Sequence, residues 1–335
     1  MSVQVATGPF GLAVTDPALD KRIGAGLAAV EELLNASTRS SREFITATAG
    51  HLVAAGGKRF RPLLTLMAAE FGDPDAPGVV PAAAVVELTH LATLYHDDVM
   101  DEAAMRRGAP SANARWDNSI AILTGDFLFA KASQILADLG PEAVRLQAET
   151  FERLVTGQIN ECVGPQPDEP AIDHYLQVLM DKTGSLIATS ARFGALLSGA
   201  PGPVVELLTG FGETFGVAFQ LSDDVLDIAS ESEQSGKTPG TDLREGVPTL
   251  PTLYALASTD PESARLRELL SGPITDDALV DEVLAALRVH PALDQARATV
   301  ARYADEARQL LAPLPEVPAK AALLALCDVV VSRTV

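Results

Sequence analysis

The same acidic signature occurs twice in this chain, as Asp97-Asp98-Val99-Met100-Asp101 and as Asp223-Asp224-Val225-Leu226-Asp227. Carboxylates at i and i+4 share a helix face and the one at i+1 stands on its shoulder, so each copy is expected to turn its acids towards a common point. One such pentad alone reads as a solvated helix face. Here both copies end strongly apolar runs with helical spacing, over 82–95 and 211–221, where uncompensated charge is costly. Two such clusters on facing helices would make a hard, oxygen-only site for Mg²⁺, which takes one or two carboxylates plus waters and substrate phosphates. A diphosphate is therefore the expected substrate.

Length alone, at 335 residues, permits one large domain or two. The chain is rich in Ala and Leu and only 5% aromatic, and its apolar residues recur at three- and four-residue spacing between short Gly/Pro breaks. Without strand alternation, this predicts a nearly all-α protein. Helices are expected over about 17–37 and 41–55, with a third opened by Arg61-Pro62. A loop at 72–81, a long helix from 82 to about 104 and a turn at 106–110 follow, then helices over 111–138, 141–162, 172–198 and 203–230. The polar run 231–248, which carries Lys237, reads as a loop before weaker helices. The stretch 164–170 looks most like a linker, but the acidic motifs lie on either side of it, so one domain over 1–335 is expected, with 1–15 disordered.

A net charge of −20 speaks against nucleic acid as a partner, since proteins that bind it neutralise phosphates with a basic surface. The few cations are clustered. Lys58, Arg59 and Arg61 fall within four residues, and Arg106-Arg107 follows the first acidic motif, which points to a localised anion site. Cys162 and Cys327 are too few for a disulfide framework and lack metal-ligand spacing. No charged segment leading into an apolar one opens the chain, and no uninterrupted apolar stretch is long enough to span a bilayer, so a cytoplasmic location is expected.

The order of the pieces carries more than any one of them. Gly56-Gly57-Lys58-Arg59-Phe60-Arg61-Pro62, Glu87-Leu88-Thr89-His90, the first acidic motif, Met105-Arg106-Arg107-Gly108, Gly125-Asp126, Lys182-Thr183, Phe219-Gln220-Leu221-Ser222 with the second motif, Gly236-Lys237 and Asp242-Leu243-Arg244-Glu245-Gly246 follow in sequence. From about residue 40 to the C-terminus this resembles the trans-isoprenyl diphosphate synthase (polyprenyl synthetase) family, and the ordered set is far more specific than a lone acidic pentad. The resemblance implies an all-α, single-domain isoprenoid synthase helical bundle around a central active-site cavity. It also implies a homodimer that uses Mg²⁺ to condense an allylic prenyl diphosphate with isopentenyl diphosphate, with transient membrane contact when product leaves.

Residue roles come with the same resemblance. Asp97, Asp101 and Asp223 would be the principal metal ligands, with Asp98, Asp224 and Asp227 completing the acidic shells directly or through water. Arg106, Lys182 and Lys237 would hold the allylic diphosphate, and Lys58, Arg61, His90 and Arg107 would hold isopentenyl diphosphate. The division makes chemical sense, because the departing diphosphate needs its charge clamped while the one that stays needs a cationic grip. Loss of diphosphate would leave an allylic cation in a dry cavity, with Gln220 and the Thr183 hydroxyl offering uncharged oxygens to it. The π-bond of isopentenyl diphosphate would attack, and the released diphosphate would take the proton. Val247 stands where many members carry lysine.

Product length is read from the helix bearing Asp97. Thr93 and Ala92 lie one turn back and Thr89, Val85 and Val86 deeper, none a large aromatic, which is similar to the long-chain polyprenyl members. A farnesyl or geranylgeranyl synthase is the alternative. A class I terpene cyclase would leave Lys58, Arg61 and Arg107 without a purpose, and a non-catalytic subunit of a heteromeric synthase should show eroded acids.

Overall fold

Asp16 accepts the Leu19 amide at 2.7 Å and so starts helix α1 (Pro17–Ser37), which buries Leu19, Ile23, Val30 and Leu34 along one stripe. The computed structural model describes residues 16–230 and 239–334; the expectation for 1–15, and Gly236 and Lys237, lie outside the described residues. Helices α2 (Glu43–Ala49) and α3 (His51–Ala54) lead to α4 (Phe60–Ala69) and α5 (Val79–Met100), both apolar on most faces. Helices that are apolar all round belong in a core, and α5 packs against α1, α4 and α7 (Asn118–Leu139).

The chain groups into two compact units, neither a continuous stretch. The first comprises residues up to Phe151, Leu186–Gly212 and Leu314–Leu323; the second comprises Glu152–Ser185, Glu213–Pro313 and Leu324–Val335. In the first, a Cβ on Gly194 would stand 2.0 Å from the Thr65 carbonyl oxygen, so α10 (Ser185–Leu197) meets α4 backbone to backbone. The second draws on α8 (Pro141–Val163), α9 (Ala171–Leu179), α11 (Gly202–Ala229) and the C-terminal helices. There Leu250–Ala257 packs on Pro291–Leu311, and the Tyr254 hydroxyl lies 3.0 Å from that of Thr299.

Several boundaries depart from the sequence reading. Helix α5 ends at Met100 with Asp101 as its C-cap, so the last acid of the motif stands at the helix end. The expected turn is a small hairpin in which β1 (Met105–Arg106) pairs antiparallel with β2 (Ala109–Pro110), leaving Arg107 and Gly108 at its tip. The expected helix 111–138 breaks at Trp116, where the Asp117 carboxylate accepts the Ile120 amide at 2.8 Å and starts α7 afresh after α6 (Ala112–Arg115). The run 172–198 is interrupted by a π-helical turn, Met180–Gly184, and the described part of the expected loop, 239–248, contains a short helix, Thr241–Glu245. By length and mean hydropathy of 1.4, α7 is the one helix among the described residues that could cross a membrane, although Asp126 and Lys131 interrupt its apolar run. It packs along α5 on one side, and 33% of that apolar stretch is buried.

Candidate active site

In the first unit the basic residues gather on one side of α5. Arg61 and His90 are half-buried and Lys58 is exposed at the turn before α4. Arg107 comes from the hairpin tip with φ 54°, the left-handed region that non-glycine residues rarely adopt, and Arg59 caps α4 with φ 50°. The Arg107 guanidinium donates to the Leu52 carbonyl at 3.2 Å and to that of Gly56. A Cβ on Gly57 would lie 2.8 Å from Arg107 Nη1, so only glycine lets the guanidinium lie against this turn. The hairpin is tied down by His51 Nε2, 2.8 Å from the Pro110 carbonyl, and α3 by the Leu52 amide donating to the Tyr95 hydroxyl at 3.2 Å.

Crowded cations alter one another's protonation. Burial lowers Arg61 to about 10, with Glu87 opposing and Arg107 adding to the effect. Burial and then Arg61, Arg107, Arg106 and Arg59 hold His90 well below the ordinary imidazole value. His90 is therefore a neutral ring among cationic neighbours.

The two acidic motifs share one pattern. Their second acids, Asp98 and Asp224, are buried, while Asp97 and Asp223 are half-exposed. Asp98 Oδ1 accepts Arg106 Nε at 2.6 Å, and its Oδ2 is buried without a hydrogen-bond partner. Arg106 also lies 3.9 Å from exposed Asp101. In the second unit Asp224 accepts the Tyr175 hydroxyl and, at 3.4 Å, Gln220 Nε2; burial, then Asp242 and Asp227, raise its pKa well above the carboxylate range. Asp227 accepts the amides of Thr241 and Asp242 at 3.3 and 3.4 Å, which pins the next short helix to the motif. Within each motif, burial thus sets the second acid apart from the first, and Arg106 and Tyr175 each take up one oxygen of the buried carboxylate. Among the described residues no three His, Cys, Asp or Glu side chains come together as a ready metal cage.

Lys182 and Thr183 sit on the π-helical turn, a form that often marks functional sites. Lys182 Nζ donates to Glu161 Oε2 at 2.5 Å. A Cβ on Gly157 would lie 2.6 Å from the Lys182 amide nitrogen, so α8 supports that turn at close range. Val247 is 37% exposed, with its amide on the Asp242 carbonyl at 2.9 Å. Sequence reasoning missed Arg333, whose Nη2 donates to Asp223 Oδ1 at 2.5 Å and whose guanidinium lies 5.2 Å from the Phe219 ring centroid. It also missed Tyr175, for neither residue lies near a motif in sequence.

Residues 42–287 match the sequence profile of the family described as polyprenyl synthetase. A nonaprenyl diphosphate synthase of Mycobacterium tuberculosis is 52% identical over 329 residues, covering 98% of each chain. Among solved structures, a geranylgeranyl pyrophosphate synthase from Corynebacterium glutamicum, complexed with calcium and isoprenyl diphosphate, is similar with a TM-score of 0.87 and 48% identity, covering 95% of this chain and 98% of that one. A decaprenyl diphosphate synthase from Rhodobacter capsulatus gives a TM-score of 0.86 at 35% identity, over 95% of this chain and 98% of that one. With its helices, basic cluster and paired acidic motifs in the family's order, the chain belongs to the polyprenyl synthetase family and is a trans-prenyltransferase.

Proposed function

We propose that this enzyme condenses an allylic prenyl diphosphate repeatedly with isopentenyl diphosphate to give a long-chain all-trans polyprenyl diphosphate. The observation that carries the chain length lies on α5, where half-buried Thr93 stands one turn behind Asp97 and neither it nor Ala92 beside it is a large aromatic. The 52% identity to a nonaprenyl diphosphate synthase supports the same reading. A short-chain synthase is the second reading, favoured by the 48% identity to a geranylgeranyl pyrophosphate synthase. Incubation with isopentenyl diphosphate, Mg²⁺ and each of the dimethylallyl, geranyl, farnesyl and geranylgeranyl primers, followed by product-length analysis, separates them. Products ending at twenty carbons would favour the second.

The donor set fits Mg²⁺. Asp97 with Asp101, and Asp223 with Asp227, offer oxygen donors alone, and the unpartnered Asp98 Oδ2 adds another. Few protein ligands per ion suit a cation that keeps waters and binds substrate phosphates. When bound, the metal neutralises the charge that develops on the departing diphosphate. Arg106, Lys182 and Lys237 hold that diphosphate; Lys58, Arg61, His90 and Arg107 hold isopentenyl diphosphate in place for attack. Gln220 and Thr183 face the allylic end with uncharged oxygens, and the apolar helices exclude water.

A homodimer belongs to this reading. Ile122 and Leu123 on α7 are 43% and 62% exposed, an apolar surface of the kind that subunit contacts cover. A cytoplasmic enzyme releasing so apolar a product through transient membrane contact agrees with the product's chemistry.

A further inference from the structure

Lys58, Arg61, His90 and Arg107 make up the proposed isopentenyl diphosphate grip, yet two charged residues beside it have no part in that grip. Arg59 is 7% exposed and Glu87 2%, so neither is placed to meet a substrate arriving from solvent. Arg59 is occupied by protein on every side. Its Nη1 donates to Glu87 Oε1 at 3.0 Å, its Nη2 to Glu31 Oε2 at 3.3 Å and to the Val53 carbonyl at 3.1 Å, and its Nε to Glu31 Oε1. Its left-handed backbone, φ 50°, turns the chain between Lys58 and the first turn of α4, which carries Arg61. A strained residue persists only where its surroundings over-determine it, and the four hydrogen bonds that the guanidinium donates do that here.

Glu87 stands one turn before His90 on α5. Its charge favours the charged forms of Arg59, Arg61 and Arg107, whereas Arg107 acts against Arg61, and Arg59 and Arg106 act against Arg107. Guanidiniums gathered without a counter-ion would repel and spread, and a buried carboxylate among them removes that tendency. We infer that Glu87, anchored by Arg59, is a positioning residue that holds Arg61 and Arg107 side by side for the isopentenyl diphosphate. It does this without touching the substrate. The inference rests on the assignment of Lys58, Arg61, His90 and Arg107 to that diphosphate.

Glu87→Gln keeps size and hydrogen-bonding capacity while removing the charge, which makes two explanations predict opposite signs. If Glu87 positions the arginines, KM for isopentenyl diphosphate should rise about tenfold, with kcat and KM for the allylic primer within about twofold. If it only lowers the local potential, removing it leaves a more positive site and KM should fall, which overturns the inference. A lowered Tm with unchanged KM would overturn it too, by reducing Glu87 to a packing residue. Because a buried charge is involved, Glu31→Gln provides a second test that leaves the fold intact. Glu31 is 40% exposed and holds Arg59 from the other side, so its loss should raise the same KM by about threefold. No change in KM from Glu31→Gln in a folded enzyme counts against the Arg59 anchor. Lys58→Ala separates this inference from the assignment beneath it. If Lys58→Ala raises KM for isopentenyl diphosphate and Glu87→Gln does not, only the positioning role fails; if neither does, the substrate assignment itself has failed.

Discussion

At the scale of single residues, the two acidic motifs divide their acids by burial. Asp97 and Asp223 face outward enough to ligate, so Asp97→Ala or Asp223→Ala should cut turnover by several orders of magnitude. Each truncates a half-exposed carboxylate and opens no buried cavity, so thermal unfolding should stay within a few degrees of the parent enzyme. Near-native turnover with Mg²⁺ in either variant would remove these residues from the site. The motifs were legible in the sequence, but the burial of Asp98 and Asp224 was not. It depends on Arg106 at the hairpin and on Tyr175 in α9, partners that spacing within the pentad does not reveal. His90 makes a second prediction. Its folded pKa lies well below 6.5, so between those values the unfolded chain binds a proton that the folded one does not. Stability due to this residue is therefore present above pH 6.5 and lost as pH falls towards the folded pKa. His90→Gln should flatten the slope of Tm against pH just below 6.5, and the parent's KM for isopentenyl diphosphate should show no step from His90 at pH 6.5.

At the scale of elements, backbone approach sets what the helices tolerate. Gly194→Ala places a methyl group 2.0 Å from the Thr65 carbonyl oxygen, where the obstacle is backbone and cannot rotate away. Forcing α10 from α4 should cost about 1–3 kcal/mol, read as a lower midpoint in urea with an unchanged slope. Ala at Gly24, where nothing lies within 4 Å of the new Cβ, serves as the control and should be neutral or stabilising. Periodicity gave the helices and most of their limits because α1, α8 and α11 are long and apolar-striped, and α5 is long and apolar on most faces. It did not give the π-helical turn at Met180–Gly184. An extra residue in one turn shifts the apolar phase by a single position, which spacing alone does not distinguish from ordinary scatter, and tertiary packing, here α8 at Gly157, marks its place. Nor did it show the break at Trp116, where a local Asp117 cap competes with continued helix.

At the scale of the whole molecule, assembly turns on what covers α7, and product length on the space behind the first acidic motif. Leu123 on α7 is 62% exposed, so Leu123→Glu costs no buried packing within one chain. If α7 is the subunit contact, that charge should shift sedimentation from dimer towards monomer with helical content preserved. Product length calls for a choice between Ala92 and Thr93, which the sequence placed together as one floor. Ala92 is fully buried, and its carbonyl oxygen lies 3.0 Å from a Cβ built on Gly125, so α7 approaches α5 closely at this position. A ring there would first have to displace α7, at about 1–3 kcal/mol, and a shortened product would be hard to tell from a damaged fold. Thr93 is half-buried, with its hydroxyl turned back to the His90 carbonyl at 2.8 Å, and it shares the stripe of Asp97. A growing chain that follows α5 from the acidic motif must pass this side chain before it reaches Thr89, so Thr93→Phe meets the chain with the least disturbance of the helix contact. The variant should make shorter products while the first condensations proceed at close to the parent rate, since ionisation depends on the acids and cations and not on the space behind them. A folded, active Thr93→Phe enzyme with an unchanged product distribution would show that the chain grows away from α5, and the long-chain reading would lose the structural argument on which it stands.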